Sequence, residues 1–151
     1  MKLAALFICL LAPLLAGCGI MEAYGIAQSD RAYVQKVAEC KTDSLDFQFA
    51  VPDASHRGYW LVLGIPKLQT NVLSFSGELT LHHGSDSSVG FVVSSSDVKP
   101  YDYLITTNLH GYCIVTPTKL SFMTPKQIYN AHVRFTQRPP DGSSLWFIAT
   151  P

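Results

Sequence analysis

From Asn71 to His83 the chain keeps an alternating pattern, with Leu73, Phe75, Leu79 and Leu81 on one side and Ser74, Ser76, Glu78, Thr80 and His82 on the other. A period of two sends successive side chains to opposite faces of a strand, so this run predicts a strand with one face in a core and the other in water. Similar runs recur about every dozen residues. Phe47, Phe49 and Val51 share a face from Asp46 until Pro52-Asp53 stops the strand, and Tyr59 to Ile65 is apolar on both sides. Val89 to Val93, Tyr103 to Thr106, Tyr112 to Thr116 and Lys119 to Met123 add four shorter β-rich runs, separated by Ser-, Pro- or Gly-containing turns. Ile128 to Gln137 and Leu145 to Ala149 close the series, and the prolines and Asp141-Gly142 between them fit a hairpin loop. About eight or nine short strands with no helical period between them predict an all-β, antiparallel β-sandwich rather than a βαβ fold. A closed barrel is the other architecture that this rhythm admits.

One segment reads differently. Ser29-Asp30 can cap a short helix that places Tyr33, Val34, Val37 and Ala38 on one face and ends near Cys40, although the two β-branched valines leave a strand open there. The runs Tyr59 to Leu63 and Leu145 to Ile148, apolar on both faces, are expected to lie centrally with their outer side covered. Trp60 and Trp146 sit in these runs, where they serve either the core or an interface.

Ahead of the β-rich region, Lys2 precedes an apolar run of 13 residues, Leu3 to Leu15, which leads into Leu15-Ala16-Gly17-Cys18. This ending resembles a bacterial lipoprotein signal with its lipobox. The resemblance implies a signal peptide over residues 1–17, lipidation of Cys18, a tether over residues 18–28 and a single domain over residues 29–151. It further implies three acyl chains, more than the two that suffice for stable anchoring. In a Gram-negative host, Gly19 in place of an aspartate implies transport to the outer membrane, with the domain facing the periplasm. The competing reading is an uncleaved membrane helix, because no charge falls between Lys2 and Glu22. Pro13, Gly17 and Gly19 disfavour it.

With Cys9 in the signal and Cys18 lipidated, Cys40 and Cys113 remain in the domain. In an oxidising compartment they are expected to form one disulfide, closing a loop of about 73 residues and restricting the unfolded state by roughly 4 kcal/mol in the chain-entropy model. Two separately buried thiols are the alternative. The chain beyond residue 17 carries ten basic and eleven acidic side chains with no run of either sign, which argues against nucleic acid as a partner.

No Gly-x-Ser-x-Gly elbow, His-Glu-x-x-His helix or phosphate-binding glycine loop occurs, so no catalytic residue and no cofactor is assigned. His82-His83-Gly84-Ser85-Asp86 is the nearest approach to a metal motif, but consecutive histidines in a strand face opposite ways and no metal site is assigned either. The loop from Ser94 to Tyr103 combines small polar residues with Tyr101, Asp102 and Tyr103, a composition suited to a partner surface. In order, Tyr59 to Leu63, Phe75 to Thr80 and the closing Pro-Asp-Gly with Leu145-Trp146 resemble small periplasmic β-sandwich lipoproteins, among them immunity lipoproteins encoded beside secretion-system toxins. The resemblance covers about residues 46 to 150, lies in strand rhythm and transfers no functional residue. It implies a non-enzymatic, lipid-anchored binding protein with a periplasmic protein partner; a structural or assembly lipoprotein of an envelope or secretion complex is the alternative.

Overall fold

The alternating runs are strands, and they form two layers. The computed structural model describes residues 32–151 apart from 54, 57, 70–72, 85–86 and 102–107, and the backbone alone of residue 101. The signal, the lipobox with Cys18, the tether and the run from Tyr103 to Thr106 lie outside the described residues. Nine strands occur among the described residues: β1 (Tyr33–Glu39), β2 (Ser44–Ala50), β3 (Gly58–Pro66), β4 (Ser76–His83), β5 (Ser87–Ser94), β6 (Lys99–Tyr101), β7 (Leu109–Val115), β8 (Ile128–Gln137) and β9 (Ser144–Thr150). One sheet has the order β1-β9-β3-β7-β6, the other β2-β8-β4-β5, and every pairing is antiparallel. Two separate sheets make this a sandwich and set aside the closed barrel. As the apolar runs require, β3 and β9 are neighbours inside the larger sheet.

Inward residues of both sheets share one core. Phe49 of β2 stacks on Phe147 of β9 with ring centroids 4.4 Å apart, and Tyr129 and Tyr59 extend the stack on either side. Since β2 and β9 belong to different sheets, this aromatic column pins one layer to the other. The outward side of the larger sheet carries a second, smaller cluster, in which Val62 and Ile148 are buried between Trp60 and Trp146. Each indole lies along the sheet over a glycine. A Cβ at Gly64 would come within 3.0 Å of Trp146 Nε1, and one at Gly58 within 3.5 Å of Trp60 Nε1. Both tryptophans are therefore half-buried packing residues.

Three expectations are corrected. The short helix is a strand, β1, whose register against β9 shifts between Lys36 and Ala38. That bulge lets the consecutive residues Val37 and Ala38 both lean on the core, while Val34 lies opposite Ile148 on the outer side. Such spacing imitates a helix. Lys119 to Met123 is a turn that starts at Pro117, and it buries Leu120 and Met123 three residues apart. The Cys40–Cys113 disulfide is not formed: both are buried free thiols. Cys40 belongs to the core between the sheets, whereas Cys113 lies opposite Val62 in the β3–β7 pairing, on the outward side of the larger sheet. A sheet separates them.

Candidate functional site

On the outward face of the four-stranded sheet, cross-strand register brings a set of polar side chains together. It consists of the polar members of the alternating patterns. Asp46 and Gln48 point away from Phe47 and Phe49 on β2, and Asn130, His132 and Arg134 point away from Tyr129, Ala131 and Val133 on β8. Glu78, Thr80 and His82 do the same on β4. Register aligns them in three rows: Ser44, Arg134, Glu78 and Val92; Asp46, His132, Thr80 and Gly90; Gln48, Asn130, His82 and Ser88. Exposed Ile128, at the start of β8, and exposed Val92, on the edge strand β5, lie on the same face.

Two cross-strand contacts fix its centre. His132 Nδ1 donates to Asp46 Oδ1 at 2.7 Å, and Gln48 Nε2 donates to Asn130 Oδ1 at 2.6 Å. With the proton on Nδ1, the neutral ring leaves Nε2 as an acceptor for the Ser44 hydroxyl, 3.4 Å away. These residues surround a shallow depression of about 280 Å³ that His82 also lines. The side chains arrive already oriented, because directly opposed residues of an antiparallel pair stand within about 5.5 Å of one another.

Ser44, His132 and Asp46 therefore have the connectivity of a catalytic triad, serine to one ring nitrogen and aspartate to the other. Their setting differs from that of a triad. The Asp46 side chain is 86 % exposed, so water competes for its charge, and Ser44 opens a regular strand rather than a strained turn. Asp53, Ser55 and His56 also meet, but Asp53 and Ser55 both approach the imidazole at Nδ1, and the Ser55 N–H bonds Asp53 Oδ1 at 3.1 Å. That is a side-chain-closed turn. Hydrogen bonds from the Ser55 hydroxyl and backbone, with a smaller effect of His56, hold the Asp53 carboxyl below its ordinary value.

A separate group of charged side chains lies near Cys40. Lys36 and Lys41 both contact the Glu39 carboxylate, and their hydrogen bonds and charges lower it to about 2. Burial drives Cys40 the other way, to about 12, against the opposing pull of Arg138, and it raises Cys113 to about 11. Both are poor nucleophiles at neutral pH.

Of the residues singled out in the sequence, Tyr101 ends β6 opposite Gly111 at the edge of the larger sheet, while Asp102 and Tyr103 lie outside the described residues. His82 points outward, and His83 is half-buried with its ring 5.0 Å from that of Tyr129, so the two histidines do face opposite ways. Among the described residues no three His, Cys, Asp or Glu are placed to share a metal ion. The centre of the face, Asp46, Gln48, Asn130 and His132, escaped the sequence reading. Alternation marks each as outward, but β2 and β8 are distant in sequence, their nearest paired residues Ala50 and Ile128 differing by 78 positions, and only register joins them. Comparison of the chain with protein-family models, with curated proteins and with solved structures found no match.

Proposed function

We propose that this chain is a lipid-anchored periplasmic binding protein that recognises a protein partner through the outward face of its four-stranded sheet. The observation that carries this reading is the hydrogen-bonded centre of that face, Asp46 with His132 and Gln48 with Asn130, held on paired strands. A flat, preoriented set of donors and acceptors suits another protein surface, since little side-chain entropy remains to be lost on docking. The Leu15-Ala16-Gly17-Cys18 ending supports anchoring through Cys18 at the outer membrane. Confinement to a membrane surface raises the encounter rate with a protein arriving from outside, which favours an immunity role against a delivered toxin.

The test uses the full chain with a C-terminal tag, purified in detergent and offered extracts of cells expressing neighbouring genes. One stoichiometric partner, lost when His132→Ala and Asp46→Ala are combined, supports the reading, and a toxic activity in that partner supports immunity. A partner belonging to an envelope machine makes the chain an assembly lipoprotein. Equal capture by the variant removes the face from the reading, and no capture above an unrelated lipoprotein removes the binding role. Cys18→Ala is expected to move the chain from membrane to soluble fractions and to abolish incorporation of labelled palmitate. A second reading, acyl hydrolysis, rests on the Ser44–His132–Asp46 connectivity. Turnover of an activated ester that Ser44→Ala abolishes would establish it in place of recognition.

A further inference from the structure

β5 lies at the edge of the four-stranded sheet, and among the described residues its one strand neighbour is β4. The pairing runs from Ser76–Ser94 to His83–Ser87 without a register shift. An edge strand presents a row of backbone donors and acceptors to any passing strand, and proteins usually guard it with charge, proline or a bulge. The other three edges are guarded. β1 carries Lys36, Glu39 and a bulge, β2 carries Asp46, and β6 is three residues long with Lys99 and Pro100. β5 reads Ser-Ser-Val-Gly-Phe-Val-Val-Ser, with no charge, no proline and no bulge. Val92 is 75 % exposed.

Gly90 adds an independent observation. A glycine inside a strand weakens it, and its usual justifications are a bulge, a bend or the close approach of another backbone. There is no register shift at Gly90, and a Cβ built there would meet nothing within 4 Å. Nothing within this sheet requires a glycine.

We propose that β5 pairs antiparallel with β5 of a second copy of this chain, joining two four-stranded sheets into one sheet of eight strands across a two-fold axis at Phe91. Continuity of the faces demands an axis through a residue, since an axis between residues would set inward side chains against outward ones. An axis at Phe91 places Ser88 beside Ser94, Val89 beside Val93, and Gly90 beside Val92 of the other copy. Each exposed Val92 then fills the space over a Gly90. An axis at Gly90 would instead set the two glycines together and leave each valine against Ser88. A two-fold interface must be self-complementary, and this neutral strand is so in composition and in shape. A charged peptide finds no opposite charge along β5 itself. The row Arg134, Glu78 and Val92 would run on into Gly90, Thr80 and His132 of the second copy, so both polar faces become one surface. The inference stands on the edge strand alone and does not depend on the function proposed above.

A single strand pair buries less than a standard interface, so association should be weak and concentration-dependent. Sedimentation of the full chain in density-matched detergent, from about 5 to 500 µM, reads its mass, and amide exchange on the same samples reads the strand. A doubling of mass is expected, with protection of β5 but not β2 rising in step. Val92→Lys sets two like charges about 7–8 Å apart across the axis and should weaken the dimer at least tenfold, and Gly90→Glu should also weaken it. Combining Gly90→Glu with Val92→Lys should restore association, because each lysine then faces a glutamate of the other copy. Thermal unfolding of dilute samples confirms that each variant is folded. A monomer at every concentration overturns the proposal, as does a dimer indifferent to Val92→Lys or one that protects another strand. Protection of β5 without a change in mass assigns the edge to some other extended peptide and overturns it too. Failure of the double variant to restore pairing overturns the axis at Phe91.

Discussion

Cys40 and Cys113 illustrate how burial sets the chemistry of a single side chain. Desolvation favours the neutral thiol, so burial pushes Cys113 up to about 11 and Cys40 up to about 12. Both therefore remain thiols at neutral pH, the form that neither attacks nor coordinates. Thiol reagents should leave both unlabelled in the folded protein and modify both once denaturant is added without reductant, as peptide mass spectrometry would read. Recovery of a Cys40–Cys113 crosslinked peptide would contradict the free-thiol arrangement. A raised thiol pKa contributes stability that is complete below pH 9 and is lost as pH climbs toward 11 and 12, so the urea midpoint should fall across that interval. Glu39 has the opposite sign. Its contribution is present above 4.5 and disappears as pH falls toward about 2, and contact with solvent keeps it small. In a carbon-detected NMR titration the Glu39 carboxyl should titrate near 2, and Lys36→Met should move it toward 4.5.

At the scale of the element, backbone approach decides what a position tolerates. Gly77 lies where β4 meets the register shift of β8, and a Cβ there would stand 2.5 Å from the Arg134 carbonyl oxygen and 3.0 Å from Phe135 Cα. Backbone cannot swing aside as a side chain can, so Gly77→Ala should cost about 1–3 kcal/mol, read as a shift in the denaturation midpoint at constant slope. The sequence showed which residues of β4 face inward, because period two needs no partner to be visible. It could not show the bulge that makes a glycine necessary. The same limit explains β1, where a shift in pairing with β9 gave helix-like spacing to a strand. It explains the polar face as well, since Asp46 and His132 are adjacent only through a pairing of distant segments. Local pattern is legible in one dimension, and register is not.

For the molecule as a whole, the two faces of the larger sheet divide the work. Consecutive residues of β9 go opposite ways: Phe147 enters the aromatic column between the sheets, and Trp146 lies outside over Gly64 with its Nε1 donating to Ser144 Oγ at 2.8 Å. If the column holds the layers together, the inner residue should dominate stability although the outer one is larger. Phe147 is fully buried, and truncation leaves a cavity that partners from both sheets cannot close without moving the layers, so Phe147→Ala should cost about 3–5 kcal/mol. Trp146→Ala removes a half-buried ring from a surface cluster that solvent and Leu109 can partly refill, and about 1–3 kcal/mol is expected. For a domain of this size about 4 °C accompanies each kcal/mol, so the melting temperature should drop by roughly 12–20 °C for the first variant and roughly 4–12 °C for the second. Calorimetry of both variants checks the order as well as the size. A larger loss for Trp146→Ala would mean that the outer cluster, not the aromatic column, carries the cohesion of the sandwich.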